Sequence, residues 1–407
     1  MKYLLAIAIG PVQEFIAAAR RTADLKAGSE LLSQVVSKVA RYLQDQHAAT
    51  LIYPTNPEQP SAPNRILCCV EADAPHRVAQ GARESAQNYL ESLWHETRGA
   101  IAQQMRKDDK NFDFEAALDS KLSQHQITNF LEFYAAWVPL SDDYADSRRQ
   151  VERLLAARKA TREFKQPPLS PKRPKSPLDP AMDCVFNNEY LPGFALSGKL
   201  HSKPPLYLKP RETLDTISLI KRYRGYSETR ESDDRVPSTT EMGFRALQEF
   251  LHQEARSNLR VLEEWAEKLP GVEEISVLIH QNRWQRLKEE RRHDPRWRQF
   301  EHNFPELECA ASAVRGQLRQ ADIPEEYLSY YAILLADGDR MGKFLSSLTT
   351  IEQHKEFSRM LGEFAGDAED LVKRHWGYLV YAGGDDVLAL LPANRAIACA
   401  RELARCF

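Results

Sequence analysis

The chain has 407 residues, of which 43% are hydrophobic and 28% charged, and its 55 Lys and Arg against 58 Asp and Glu give a formal charge of −3. This composition excludes a wholly disordered chain, predicts about two to three domains, and leaves nucleic-acid binding to local patches. The mean hydropathy is −0.53, and because no apolar run approaches the roughly 18 residues of a membrane helix, we expect no membrane partner. Six cysteines without a CxxC pair are typical of a reduced, cytoplasmic protein.

The first 140 residues alternate between strand and helix patterns. In order, these are a strand at residues 3–9, helical spacing from Phe15 to Leu43, β-like runs at 51–53 and 65–71, a helix over 75–107 and a closing strand within 130–139. That succession, βαββαβ, is the ferredoxin-like split motif. The apolar run at the start stops at Gly10-Pro11, which favours a buried strand over a signal peptide.

The middle of the chain predicts charged helices and a proline-rich connection. Helical patterns cover about 141–165 and most of 240–320, while the prolines between Pro167 and Pro180 exclude a helix there. Basic residues between Lys165 and Lys175 fit either a solvated loop or a contact with the RNA backbone. The Arg- and Trp-containing stretch 283–298 fits either a solvated helix face or stacking on nucleic-acid bases, and its lone His293-Asp294 pair cannot build a metal phosphohydrolase site.

From residue 330 the pattern becomes strand, helix, strand, turn and strand. The apolar strand 330–336 ends in Asp337-Gly338-Asp339, and the next long helix is expected to begin at a capping box from Thr349 to Glu352. Strands at 378–381 and 387–391 then flank the turn Gly383-Gly384-Asp385-Asp386. The apolar stripe of the helix is predicted to comprise Phe357, Met360, Leu361, Phe364, Ala368, Leu371 and Val372.

Three aspartates, Asp337, Asp385 and Asp386, are predicted to meet at one edge of a sheet. In a βαββαβ sheet the first and third strands are adjacent and antiparallel, so the end of the first lies beside the start of the third. Carboxylates held together repel one another unless cations lie between them, and oxygen ligands suit Mg²⁺ or Mn²⁺. Two such ions serve in-line phosphoryl transfer. The plain alternative is a hairpin turn with exposed aspartates.

Four parts of the chain make it resemble the large, palm-polymerase-like subunit of type III CRISPR effector complexes, in its type III-B form. They are residues 9–33, which contain IGPVQEFI and ARRTADLKAGSELLS, residues 236–240 (VPSTT), residues 337–343 (DGDRMGK) and residues 383–386 (GGDD). The resemblance implies an α+β fold with two ferredoxin-like palm domains. The implied domains are a first, non-catalytic palm at 1–140, a helical linker with a degenerate zinc-finger region at 141–325, and an incomplete catalytic palm at 326–407.

The resemblance also implies a function and the residues that carry it. Two ATP molecules would bind between the palms, and target RNA binding to the guide RNA-loaded complex would switch on synthesis of cyclic oligoadenylate. The partners would be ATP, the other subunits of the complex and, through them, both RNAs. The implied catalytic residues are Asp385 and Asp386, which with Asp337 would hold two Mg²⁺ or Mn²⁺ ions. The implied nucleotide-binding residues are Gly338, Gly383 and Gly384.

Three departures from the family pattern shape further expectations. The chain starts at the first palm, so we expect no DNA cleavage by an HD domain. It stops at Phe407 within the second palm, so we expect either a fragment or completion by another chain. The stretches that match the family's zinc site, 176–179 and 214–222, lack cysteines, and because Cys184 alone cannot hold zinc, we expect none.

Two other functions stay open at this point. The chain could be a non-catalytic scaffold subunit of the same complex, in which the palm binds partners without turnover. It could also be a stand-alone nucleotide cyclase of the GGDEF type, which is disfavoured because the turn reads GGDD.

Overall fold

The computed structural model describes residues 1–407 except 59–62, 109, 111–112, 162–169, 171, 187–211, 228–234, 271, 273 and 293. Lys165 and His293, together with three prolines of the predicted connection (Pro167, Pro168 and Pro171), lie outside the described residues. Within those residues, no helix combines the length and apolarity that crossing a membrane requires.

The first sheet has a ferredoxin-like strand order. Its strands are β1 (Lys2–Gly10), β2 (Thr50–Tyr53), β3 (Arg65–Glu71) and β4 (Glu132–Pro139), arranged β2-β3-β1-β4. β1 pairs antiparallel with both β3 and β4. Its side chains are buried on both faces of the sheet, which is why the strand reads as a continuous apolar run. The ferredoxin-like order predicted for this part of the chain is confirmed.

Helices cover both faces of this sheet. They are α1 (Gln13–Ala17), α2 (Thr22–His47), α3 (Pro75–Asp108), α4 (Phe114–Ala117), α5 (Ser120–Phe130), α6 (Tyr144–Ala160) and α7 (Thr216–Ser227). One face packs on α2 and α3, and the other on α6. Leu219 and Ile220 of α7 are buried in the same core as α2, so this core draws on residues well beyond 140. We call β1–β4 with α1–α7 the first domain.

A helical region follows the first domain. It contains α8 (Thr239–Glu254), α9 (Arg256–Lys268), α10 (Ile275–Ile279), α11 (Gln281–Arg291), α12 (Pro295–Arg298) and α13 (Phe304–Gln320), with 3₁₀ turns at Glu301–Asn303 and Glu325–Ser329. Trp284 and Trp297 are each only 2% exposed, and their rings stack in the core with centroids 5.9 Å apart. The two tryptophans therefore cannot stack on a base, because their rings are buried. The exposed residues of α11, such as Arg283 and Glu290, form a solvated helix face.

The second sheet contains β5 (Tyr331–Ala336), β6 (Tyr378–Gly383) and β7 (Asp386–Pro392), in the antiparallel order β5-β7-β6. Its helices are α14 (Met341–Ser347), α15 (Ile351–Arg374) and α16 (Ala396–Cys406). One face of the sheet packs on α15 and α16, and the other meets Leu25 of α2 and Met242 of α8. We call β5–β7 with α14–α16 the second domain. The predicted neighbours, its first and third strands, are paired.

The start and the stripe of α15 differ in detail from the prediction. The capping box is Thr350–Gln353 rather than Thr349–Glu352, because a glutamine at the third helical position satisfies the cap as a glutamate would. Four predicted stripe residues are buried, namely Leu361, Ala368, Leu371 and Val372. Met360 is 55% exposed, since a turn of 100° per residue carries it away from the face that Leu361 occupies.

The two domains contact each other directly. Tyr144 of α6 lies 2.6 Å from His354 of α15, measured from the phenol oxygen to Nδ1. Arg148 donates a hydrogen bond to the Leu345 carbonyl. These contacts fix the second domain against α6 of the first.

Candidate metal and nucleotide site

The three predicted aspartates do converge. Because Ala336 pairs with Val387, Asp337 after β5 lies beside Asp386 at the start of β7. One carboxylate oxygen from each of Asp337, Asp385 and Asp386 lies within 4.8 Å of the others, with Asp385 half-buried and the other two exposed. Among the described residues, these three are the ones that come close enough together, as acidic, histidine or cysteine side chains, to hold a metal ion.

The electrostatics of the cluster favour a bound cation. Although the Asp386 side chain is largely exposed, partial desolvation of its carboxyl group raises its pKa. The negative charges of Asp385 and Asp337 and a hydrogen bond with Asp337 raise it further. Like charges this close disfavour full ionisation, and a divalent cation between them would reverse that effect. The donor set consists only of carboxylate oxygens, so it fits Mg²⁺ or Mn²⁺ rather than a metal that prefers nitrogen or sulfur.

The hairpin that carries Asp385 and Asp386 is a two-residue turn. Gly384 has φ +67°, and a glycine at the first central position is typical of the type II′ turn that joins antiparallel strands. A side chain on Gly338 would also meet the hairpin, because its Cβ would lie 2.7 Å from the Cβ of Asp385. The missing side chain of Gly338 therefore lets Asp385 approach the end of β5.

Two tyrosines fill the space beside the other two glycines. A Cβ on Gly383 would lie 2.3 Å from the phenol oxygen of Tyr381, and a Cβ on Gly384 would lie 3.0 Å from that of Tyr53. The Tyr381 hydroxyl donates to the Gly383 carbonyl at 3.2 Å. Burial, then Asp386 and Asp385, raises the pKa of Tyr381 to about 12. The glycines thus have a packing role, and their predicted contact with a nucleotide stays a prediction.

A cavity of about 660 Å³ lies between the two domains next to the cluster. The first domain contributes the end of β1 at Gly10 and Pro11, and the second contributes Leu335, Val387 and Asp386. Lys159 of α6 also lines it. The cavity wall therefore combines apolar side chains, the cation Lys159, the carboxylates Glu14 and Glu132, and one member of the acidic cluster.

A second cavity of about 610 Å³ adjoins the first, and Leu25 lines both. Three arginines line it, namely Arg20, Arg21 and Arg235. Ser238 of the VPSTT segment caps α8 through the Glu241 N–H and donates to Glu274 at 2.6 Å. This segment forms part of the cavity wall, so the quoted motifs at 19–33 and 236–240 meet in space.

Comparison with known proteins shows which family models and relatives the chain resembles. Residues 330–407 match the family described as Cas10/Cmr2, second palm domain, and residues 4–98 match CRISPR-associated protein Cmr2, N-terminal. The chain is also similar to the CRISPR system Cmr subunit Cmr2 of Pyrococcus furiosus, with 24% identity over an alignment 503 positions long. That alignment covers 99% of this chain and 54% of the relative. The chain is Cmr2-like over both of these segments. It spans about half the length of this curated relative.

Solved structures show the same fold. The type III-B Cmr-beta complex in its apo state contains a chain that matches with a TM-score of 0.67 at 14% identity, over 100% of this chain and 61% of that one. The Cmr-beta complex bound to cognate target RNA matches with a TM-score of 0.61 at 14% identity, over 99% of this chain and 62% of that one. At this identity the likeness concerns the fold, and it supports the α+β architecture with a Cas10 palm domain.

The stretches compared with the zinc site of the Cas10/Cmr2 family hold buried ionic groups. Lys221 donates to the carbonyls of Phe15 and Ala18, the latter at 2.7 Å, and burial lowers its pKa to about 8. Arg222 pairs with Asp24 at 2.7 Å, and neither side chain is exposed. These bonds join α7 to α1, to the short segment after it and to the start of α2. Arg20 and Arg21 of that segment line the second cavity.

The basic loop at 172–175 is paired in part. Arg173 pairs with Asp119 at 2.6 Å, and Lys175 pairs with Asp183 at 2.5 Å. These ion pairs account for both charges within the fold, so the choice between a solvated loop and an RNA contact stays a prediction.

Sequence reasoning missed Tyr53 and Tyr381 as parts of the site. Tyr381 stands two residues before Gly383, so the alternation of a strand could have placed it on the same face. Tyr53 is more than 300 residues away in the chain from Gly384. No local pattern connects the two, and only the packing of the domains brings them together.

Proposed function

We propose that this chain is the nucleotidyltransferase part of a type III-B CRISPR effector complex, which makes cyclic oligoadenylate from ATP when target RNA binds. The observation that carries the proposal is the convergence of Asp337, Asp385 and Asp386 beside a cavity between two palm-like domains, whose wall includes Asp386. The reaction joins a 3′-hydroxyl oxygen to the α-phosphorus of a second nucleotide and releases pyrophosphate. Bound Mg²⁺ or Mn²⁺ would neutralise the phosphate charge that develops during this step.

The residues of the chain divide the remaining tasks. Asp337, Asp385 and Asp386 would hold the ions. The apolar floor at Leu335 and Val387 offers a surface for a base, because apolar walls with a few polar groups are typical of small-molecule sites. Closing two domains around the cavity would exclude water from the reacting atoms.

The two adjoining cavities offer room for the two nucleotides that such a reaction needs. Lys159 of the first cavity, together with Arg20 and Arg21 of the second, would supply positive charge for triphosphate groups. Arg235 of the second cavity is ion-paired with Glu241 and Glu274. The structure of Cmr-beta with cognate target RNA supports placing this chain among the subunits that respond to a guided RNA.

The test is ATP conversion by the assembled complex with matching target RNA. Asp385→Asn combined with Asp386→Asn should lower conversion at least about a thousandfold, because the site for the ions disappears while the side-chain shapes stay. Asp339→Asn is the matched control, since Asp339 lies near the cluster without belonging to it.

Two results would contradict the proposal. A double variant that converts ATP at a near wild-type rate would show that the cluster is not catalytic. A double variant that fails to assemble would favour the scaffold function instead. The match of residues 4–98 to the Cmr2 amino-terminal family argues against a stand-alone GGDEF-type cyclase.

A further inference from the structure

The acidic hairpin of the second domain is closely flanked on two sides. On one side the Cβ of Asp385 lies 2.7 Å from the position that a Cβ on Gly338 would take. On the other side the phenol oxygen of Tyr53 lies 3.0 Å from the Cβ position of Gly384. Gly338 belongs to the second domain, whereas Tyr53 ends β2 of the first. A residue of the first domain thus forms one wall of the space that the catalytic turn occupies.

Tyr53 is itself anchored. Its ring packs against the core between the first sheet and α6, together with Tyr134 and Ile351. Two residues later, the Thr55 N–H donates to Ser358 of α15 at 3.1 Å. The tip of β2 is therefore fixed on the second domain at two neighbouring points, one on α15 and one on the hairpin.

The hydroxyl is the atom of Tyr53 that reaches the hairpin. Burial, then Tyr381 and Asp385, raises the pKa of Tyr53, so the group is a neutral phenol that adds no charge to the acidic cluster. A neutral hydroxyl against the turn supports the carboxylates without repelling them. The contact is with Gly384, the neighbour of Asp385, so it limits where the turn can place that carboxylate.

We propose that Tyr53 is a positioning residue, through which the first domain holds the hairpin of the second so that Asp385 and Asp386 meet Asp337. The inference rests on the proposed function, because the hairpin matters only if its carboxylates bind the catalytic ions. Its first test does not depend on that function. Without the hydroxyl, the turn can move away from Gly338 and the three carboxylates separate.

The first test needs no metal and no nucleotide. In the 407-residue chain in EDTA, hydrogen–deuterium exchange of the peptide 378–392 should be at least about threefold faster in Tyr53→Phe than in the wild type, because local opening of the turn costs less. Tyr89→Phe is the matched control. This variant also loses a phenol hydroxyl. In the wild type, the hydroxyl of Tyr89 on α3 donates to Gln34 on α2 at 2.7 Å, and neither helix carries the hairpin. Tyr89→Phe should leave exchange of that peptide unchanged.

The second test measures Mn²⁺ affinity by electron paramagnetic resonance. Tyr53→Phe should bind Mn²⁺ about tenfold more weakly, as is usual when an outer contact of a metal ligand is lost, with the unfolding midpoint equal to that of the wild type. A purely structural role would lower the midpoint and would not act on the metal selectively.

The outcomes separate the two proposals. Unchanged hairpin exchange in Tyr53→Phe, or an equal increase in Tyr89→Phe, overturns the positioning role. Faster exchange in Tyr53→Phe alone supports it, even if the wild type binds no Mn²⁺. A wild type that binds no Mn²⁺ would contradict the metal-dependent function instead.

Discussion

The first and second domains trace the same path through their sheets but place different chemistry at equivalent strand ends. β1 is followed by Pro11, which offers no side-chain oxygen, whereas β5 is followed by Asp337. In the first domain residues 54–64 connect β2 to β3, whereas a two-residue turn with Gly384 connects β6 to β7. β1 is paired on both sides, and β5 pairs with β7 alone among the described strands.

The comparison teaches that topology brings strand ends together and local sequence decides what meets there. Both sheets place the end of the first strand beside the start of the third. Only a tight turn with acidic residues converts that geometry into a cluster of carboxylates. The first domain then has a supporting part, in which Tyr53 reaches across to the turn.

The largest expected effect tests the strand end that distinguishes the second domain. Asp337→Asn should lower ATP conversion by the assembled complex at least about a hundredfold, or about 3 kcal/mol of barrier, because one ligand of the ions loses its charge. Unfolding in metal-free buffer should show equal or greater stability, since repulsion at the cluster falls. Conversion close to that of the wild type would remove Asp337 from the site and weaken the contrast between the domains.

The next effect concerns the ion pair that anchors α7 to α2 within the first domain. Arg222→Ala should lower the free energy of unfolding by about 3 kcal/mol, because it leaves Asp24 buried without its partner. Arg173→Ala is the control, and its partly exposed pair with Asp119 should contribute at most about 1 kcal/mol. Urea denaturation measures both, and equal losses would refute the anchoring role of Arg222.

The contact between the domains should depend on pH. Burial, and after it the charge of Arg148, lowers the pKa of His354 from 6.5 to about 4. The unfolded chain therefore takes up the proton first as the pH falls. The folded state should then lose up to roughly 3 kcal/mol between pH 6.5 and about 4, a contribution fully present only above that range.

His354→Gln should flatten this part of the stability profile. The contributions of other titrating groups to the free energy of unfolding cancel when the variant is compared with the wild type at each pH. Urea titrations at pH 7 and at pH 4.5 give the difference. Parallel profiles would mean that His354 is not a buried neutral partner of Tyr144.

The smallest expected effect tests the turn itself. Gly384→Ala should cost about 1 kcal/mol of stability, because alanine is strained at positive φ. Gly316→Ala is the matched control, since Gly316 lies inside α13 with open space around it. That substitution should stabilise the chain by up to about 1 kcal/mol. A neutral Gly384→Ala variant would show that the turn tolerates another geometry.

Much of the fold follows from periodicity in the sequence. The strands at residues 3–9 and 65–71 were predictable because buried central strands are continuous apolar runs with clear ends. The strand at 330–336 is also a continuous apolar run, although β5 lies at the edge of the described sheet and exposes Ile333 and Leu335. The short helices α4 and α5 were not predicted, because side chains from residues beyond 170, such as Phe186, help to bury them. The two tryptophans at 284 and 297 were misread because helix patterns alone do not show which face meets another helix.

The acidic cluster was predictable because two rules combine, the pairing of the first and third strands and the turn chemistry of GGDD. The role of the glycines was only partly visible. Positive φ at Gly384 follows from the turn type, whereas the phenols beside Gly383 and Gly384 depend on packing. The capping box moved by one residue because Thr349 and Thr350 are equivalent in sequence and only the backbone geometry selects one.

The sequence by itself determined the order of elements, the palm-like topology and the three carboxylates, because these depend on periodicity and on residues close to one another in the chain. Only the tertiary structure decided which distant groups share a space. It placed Tyr53 against Gly384, joined Arg222 to Asp24 and formed two cavities between domains. Such contacts link residues separated by about 200 residues or more, and they arise from the packing of whole domains, which no local pattern encodes.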